Sequence, residues 1–332
     1  MLVAGGMIAC DGPRPDPTQD VPKAGPDITW TTAAPCPLAR FEANGVVVGD
    51  ELWVLGGFVS STLDVTGRVD IYNPVSDNWR VGPPLPGAQT HVALAAVDGT
   101  DIVVAGGFDG AFLATRPPVT AAVWRWNMGT GQWTAGPSLP IAGAAYAWAM
   151  LGSQLHLAGG LGPDGNTDTA GHLVWDLTGA SWTGAAALPD PRNHGAGAAA
   201  GGLFYVIGGR HDWDEMAGDV PDVDAFDPAT GAWLPRAPIP GARSEIGAGT
   251  TTLSDGRILV VGGSLPGIKP SANVLVYDPA ADAWAKLAPL PQPRKGAVAR
   301  QIGDRIIVTT GSPTSVDPSN TTFVGCCLGT VD

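Results

Sequence analysis

Short apolar runs of four residues, each closed by two glycines, recur along the chain. Leu52-Trp53-Val54-Leu55 ends in Gly56-Gly57, Ile102-Val103-Val104-Ala105 in Gly106-Gly107 and Ile258-Leu259-Val260-Val261 in Gly262-Gly263. Further pairs stand at Gly159-Gly160 and Gly208-Gly209, with a worn copy at Thr310-Gly311. Each run reads as a strand, and each glycine pair as a tight exit that needs positive φ or close backbone approach. About fifteen to twenty residues later comes a pair of aromatics seven residues apart: Tyr72 and Trp79, Trp126 and Trp133, Trp175 and Trp182, Phe226 and Trp233, Tyr277 and Trp284. Turn formers such as Asn73-Pro74 and Asp278-Pro279 lie between them, so the spacing predicts a hairpin with a large side chain on each arm. A Leu-Pro or Ile-Pro step then leads into a Gly/Ala-rich stretch, a further strand.

Each unit therefore holds four short strands, and the units repeat. The tryptophans of the hairpins, together with Trp30, are spaced by 49, 54, 49, 51 and 51 residues. Strand, Gly-Gly, aromatic, six-residue turn and Trp in this order resemble the kelch repeat, the radial blade of a β-propeller. The resemblance covers roughly Asp27 to the C-terminus. It implies an all-β fold in which small first strands, such as Ala196 to Ala200, crowd the axis and the aromatics fill the wider gaps between blades.

The ends of the chain predict how the ring closes. Trp30 has Lys23 seven residues before it where an aromatic belongs, while the last unit has strands at Gly296 to Ile302, Arg305 to Thr309 and near Thr321 to Leu328 but no tryptophan. Letting Ile28-Thr29-Trp30-Thr31 complete that unit gives six blades and removes two open edges; five blades with frayed ends is the alternative.

Composition narrows the partners. With 18 basic and 31 acidic residues the net charge is −13, and the basic residues form no run, which argues against nucleic acid. No stretch of 18 apolar residues is available to span a membrane. Residues 1–10, ending Met7-Ile8-Ala9-Cys10, resemble the tail of a bacterial lipoprotein signal, with Cys10 the residue that receives the lipid. Residues 11–26 are rich in proline and aspartate and read as a tether reaching on the order of 50 Å. The expectation is an exported, lipid-anchored, monomeric propeller over residues 27–332, at the periplasm or cell surface. Cys36 follows the closing strand and Cys326-Cys327 lie in the strand expected beside it. A bridge from Cys36 to Cys326 or Cys327 would bolt the ring, a vicinal bridge or free thiols being alternatives.

Candidate chemistry gathers just after each Pro-containing step. Aligned there, the units offer Arg40, Gln89, Gly143, Arg192, Arg243 and Arg294, and two residues on Glu42, His91, Ala145, His194, Glu245 and Gly296. If both positions lie on one strand they face the same side, which would bring arginines, histidines and glutamates to one channel mouth, with Tyr146 and Phe41 as aromatic faces for a sugar or a peptide side chain. The alternative for the arginines is hydrogen bonding between blades. Because the second position varies so freely from unit to unit, it is the better candidate for ligand choice. In the loops, His211 and Trp213 stand among charges, as recognition residues often do. Asp164, Asn166 and Asp168 fill the first, third and fifth places of a calcium loop, but Thr169 and Trp175 occupy its sixth and twelfth. A metal held by His91 and His194 is disfavoured because they belong to non-adjacent units. The leading reading is a recognition module for a glycan, peptide or protein, with no cofactor and no metal. The alternative is a sugar epimerase resembling the bacterial sialic-acid mutarotase, which is also an exported six-bladed kelch propeller, with a glutamate and a histidine as acid and base. A copper radical site like that of the galactose oxidases cannot be assembled, since Tyr146 is the one tyrosine left near the mouth.

Overall fold

The computed structural model describes residues 28–97, 101–110, 117–212 and 218–326. Six four-stranded antiparallel sheets are arranged around one axis. We number the blades I to VI by their first strands: Asn44–Val48, Ala93–Val97, Ala147–Leu151, Ala196–Ala200, Thr250–Thr252 and Val298–Ile302. Each first strand packs against the first strands of both neighbours, and the sixth packs against the first. The inner circle is thus closed. Its tightness explains the small residues: a Cβ on Gly197 would stand 2.2 Å from the backbone of Trp148 in the preceding blade, and one on Gly45 equally close to Val298.

Closure follows the expected route. Thr29–Ala33 pairs antiparallel with Thr322–Cys326, Trp30 opposite Gly325, and becomes the outer strand of blade VI. The missing aromatic partner is replaced by Gly325, over which the Trp30 ring lies. In the other blades the expected pairs meet, with ring centroids 5.0 to 5.5 Å apart.

The tryptophans also fasten each blade to the one before it. The indole N–H of Trp79, Trp133, Trp182, Trp233, Trp284 and Trp30 donates to the carbonyl of Ala34, Pro84, Pro137, Ala186, Ala237 and Ala288 respectively, at 2.8 to 3.0 Å. One such bond per junction, worth about 1 kcal/mol, accounts for the strict recurrence of Trp where Phe would fill the same gap.

The double glycines fasten each blade to the one after it. Their backbones are left-handed, as at Gly262 (φ 69°) and Gly263 (φ 95°), and the second N–H donates to a carbonyl that leads the next blade, as in Gly160 to Arg192 at 2.8 Å. A Cβ on Gly262 would fall 2.3 Å from the Arg294 carbonyl oxygen, so only glycine fits. The worn copy obeys the same geometry: Thr310 takes φ 62° and the Gly311 N–H reaches the Arg40 carbonyl at 2.8 Å.

Cys36 and Cys326 do not bolt the ring. Antiparallel pairing carries Cys36 past Ala33 to Asn320, whose carbonyl its N–H bonds at 2.8 Å, whereas Cys326 lies opposite Thr29 at the other end of the hairpin. Six strand residues separate those ends, about 20 Å at 3.4 Å per residue, far beyond disulfide reach. Both are free thiols. Cys327, Cys10, the expected lipid signal, the tether and Trp213 lie outside the described residues.

Candidate functional site

The six positions compared in the sequence share one backbone state. Glu42, His91, Ala145, His194, Glu245 and Gly296 all have φ between 50° and 56°. They are not strand residues, and a left-handed turn there sends the side chain two residues earlier in a different direction. Five of the six junctions around the axis are closed by backbone bonds: Glu42 N–H to Gly296, Gly296 to Glu245, Glu245 to His194, His194 to Ala145 and Ala145 to His91, at 2.8 to 3.2 Å. At the remaining junction the Thr90 hydroxyl donates to the Glu42 carbonyl at 2.9 Å. The channel mouth is therefore a hydrogen-bonded annulus that demands positive φ. Glycine meets that demand in blade VI at no cost, whereas each L-residue costs roughly 1–2 kcal/mol. Strain kept at Glu42, His91, His194 and Glu245 marks their side chains as wanted.

Those side chains converge. His91 Nε2 lies 2.7 Å from Glu42 Oε2, His194 Nε2 3.9 Å from Glu245 Oε1, and the two imidazole centroids are 4.9 Å apart, edge to face. Residues from non-adjacent blades meet because the annulus is narrow and blade III contributes only Ala145 between them. The expectation that blade separation keeps His91 and His194 apart is thus corrected. With Tyr146 and Trp148 they line a cavity of ≈ 60 Å³, room for a few waters.

Two cations that the sequence reading passed over complete the cluster. Arg210, directly after Gly208-Gly209, reaches Glu245 Oε1 with Nη1 at 3.1 Å, and Lys295 is buried beside Gly296. Burial pushes the Glu245 carboxyl up, but Arg210, Lys295 and His91 outweigh it and hold the group below its ordinary range. Burial, then Arg210 and His91, drive His194 well below the usual imidazole value, so the ring is neutral. The signal for Arg210 was available, because the equivalent residues are Phe58, Phe108, Leu161, Ser264 and Ser312 and it alone is charged.

The arginines go elsewhere. Arg40, Arg192, Arg243 and Arg294 are each at most 2% exposed and none lines the mouth cavity. Arg40 pairs with Asp70 and donates to the carbonyls of Gly56 and Arg68. Arg192 donates to Gly208, Val206 and Asp190 carbonyls and to Asp224. Arg243 donates to Gly262, Gly241 and Pro240, and Arg294 to Pro293, Gln292 and Ser319. Arg40, Arg192 and Arg243 each satisfy the carbonyl of a glycine corner, Gly56, Gly208 and Gly262 respectively, inside the blade wall. Gly143 stands where a fifth could be, and its space is taken by the Tyr146 hydroxyl, 2.1 Å from a Cβ built there. Tyr146 is accordingly packed between blades, and Phe41 is buried against Phe58 with centroids 5.1 Å apart. His211 is half-buried, its Nδ1–H donating to the Pro191 carbonyl at 3.0 Å. The calcium-like triplet is divided: Asp164 accepts from Asn166, Thr167 N–H and the Thr167 hydroxyl, whereas Asp168 accepts from Asn193 and the Asp212 N–H.

A second concavity opens beside the mouth. Ile141, Leu161 and Pro163, with Asp164, Thr167 and Asp168, line a groove of ≈ 590 Å³ that Tyr146 shares with the axial cavity. At the opposite end Arg300 enters the axis, donating to the carbonyls of Ala248, Thr250 and Ala299 with its guanidinium 6.0 Å from the Trp148 ring.

Six closed blades around an axial site define a β-propeller assembled from kelch-type units. The Kelch motif matches residues 39–86, 93–140 and 249–291. Kelch-like protein terF of Aspergillus terreus is 28% identical over 273 residues, 80% of this chain and 59% of that protein. Kelch-like protein 35 of Mus musculus is 29% identical over 72% of the chain and 38% of its own length, and Kelch-like protein 34 of Homo sapiens 30% over 70% and 36%. The chain belongs to the kelch-repeat β-propeller family. It spans less than two thirds of each of these relatives. Propellers of this family typically serve as protein-interaction modules.

Proposed function

We propose that this propeller is a recognition module that binds an extended segment of a protein partner in the groove beside the mouth. The observation that carries this reading is the groove itself, whose ≈ 590 Å³ falls among ligand sites of about 300–1,000 Å³, whereas the axial cavity of ≈ 60 Å³ admits no organic ligand. Its wall is apolar, with Ile141 61% exposed, and its rim is anionic. The Thr167 hydroxyl and the Thr167 and Asn166 N–H groups hold the Asp164 carboxyl down to about 2. A segment that pairs an apolar with a basic side chain suits both features.

Export on a lipid-anchored tether belongs to the same proposal and is supported by the Met7-Ile8-Ala9-Cys10 sequence and the Pro/Asp-rich 11–26 stretch. The sugar epimerase reading has less support, because the arginines expected to hold a substrate carboxylate, Arg40, Arg192, Arg243 and Arg294, are bonded within the blades, and Arg210 at the mouth is engaged by Glu245.

The test is fluorescence anisotropy of labelled peptides, acidic, basic and apolar, beside competition by sialic and uronic acids. Basic-apolar peptides should bind, and Ile141→Arg should weaken them at unchanged melting temperature. Binding of sugars alone, or peptide binding indifferent to Ile141→Arg, overturns the reading. For the anchor, Cys10→Ser should move the protein from the detergent to the aqueous phase.

A further inference from the structure

We propose that the annulus is a metal site in which His91, His194 and Glu245 take one divalent transition-metal ion, Zn²⁺ fitting best. This does not depend on the peptide groove. One ligand atom from each of the three residues lies within 4.8 Å of the others, and the space between is the ≈ 60 Å³ axial cavity, sized for an ion and its water. Slight side-chain rotation closes such a set to metal-ligand distances of about 2.0–2.2 Å.

On both histidines the surrounding bonds fix Nδ1 as a donor and turn Nε2 to the axis. Asn193 Nδ2 donates to Asp168 and to the Asp212 carbonyl, which turns Asn193 Oδ1 to His194 Nδ1. Nδ1 therefore carries the proton and Nε2 the lone pair. The Thr90 hydroxyl spends its proton on the Glu42 carbonyl, so its oxygen accepts from His91 Nδ1–H at 3.1 Å, and Nε2 is the atom turned to the axis. An imidazole whose far N–H is held by an outer acceptor is the arrangement of a metal-bound histidine. Glu42 Oε2 lies 2.7 Å from His91 Nε2, where a metal ion would take the place of the proton this pair shares, and Glu42 supplies the fourth ligand.

The backbone argues for the same use. The annulus needs only a positive φ, as Gly296 shows, yet four blades place imidazole or carboxylate ligands there and the blade between the two histidines is cut back to Ala145. Arg210 engages one oxygen of Glu245 and Lys295 lies nearby, so the site carries fixed positive charge. That disfavours Ca²⁺ and Mg²⁺, which require oxygen-rich anionic shells, and leaves an ion bound chiefly through imidazole.

The full chain, stripped with chelator, is dialysed against micromolar Zn²⁺, Mg²⁺ or Ca²⁺ and its metal content read by mass spectrometry. One Zn²⁺ per chain and neither alkaline earth is expected. His91→Gly/His194→Gly keeps the backbone that glycine already provides in blade VI and should retain none. Asn193→Ala should weaken binding about 10–100-fold, and His211→Ala should change nothing. Ala145→Leu keeps every ligand but fills the gap, and should also exclude the ion. If those variants do not fold, Co²⁺ added to the native chain decides, since ligand-field bands of a four-coordinate site, displaced by one equivalent of Zn²⁺, are expected. Substoichiometric Zn²⁺, full retention by the double variant, or Co²⁺ spectra of the hexaaquo ion overturn the proposal.

Discussion

Acid should weaken the junction between blades III and IV before the rest of the ring. His156 and His172 face each other across paired strands of blade III, 1% and 3% exposed, against Phe204, Phe226 and Trp233 of blade IV. Their protons are assigned by a chain of bonds. His172 Nδ1–H donates to the Ala186 carbonyl at 3.2 Å, which leaves its Nε2 to accept from His156 Nδ1–H at 3.0 Å. Both rings are neutral, and burial holds each down to about 4 from 6.5, His172 being lowered further by His156. The unfolded chain therefore binds more protons than the folded one between pH 6.5 and about 4, and stability must fall as pH drops through that window. The gap is worth about 3 kcal/mol per ring once fully developed, and about 2 kcal/mol per ring at pH 5. Urea unfolding at pH 7.5 and pH 5 measures it. The native chain should lose about 4 kcal/mol more across that interval than His156→Leu/His172→Leu, which removes the titration and leaves Ala186 its bond from the Trp233 indole. Parallel losses in the two proteins would refute the assignment of neutral, buried imidazoles.

Two further outcomes separate frame from site. Arg243→Met, judged by the same urea titration, should lower stability by about 3–5 kcal/mol, because it strands the Gly262, Gly241 and Pro240 carbonyls in the wall, whereas His211→Ala, half-exposed in its loop, should cost much less. Cys36 should resist thiol reagents at neutral pH until the chain unfolds, since it is fully buried and burial raises its thiol above the ordinary range; rapid labelling of Cys36 under native conditions, located by peptide mass mapping, would contradict its place beside Asn320.

The sequence by itself determined the number and order of the blades and their closure. Those features rest on local requirements that repeat: positive φ at each glycine corner, a hairpin between two aromatics, and an unpaired strand at each end that must be covered. They survive even where the marker residue changes, as at Thr310 and Gly325. The equivalence of positions 42, 91, 145, 194, 245 and 296 was also legible, because a repeat compares like with like. What the alignment could not supply was direction and radius. Strand alternation would point Arg40 and Glu42 the same way, but φ near +50° at Glu42 lets the arginine turn into the wall while the glutamate turns to the axis. Sequence distance likewise says nothing of how narrow a ring is at its centre. His91 and His194 meet only because six first strands close on a circle tight enough to exclude a Cβ at Gly197, and because Ala145 leaves the space between them empty. The same distinction separates Cys36 from Cys326: membership of neighbouring strands was readable, but the antiparallel register that sets them at opposite ends is a property of the paired structure alone.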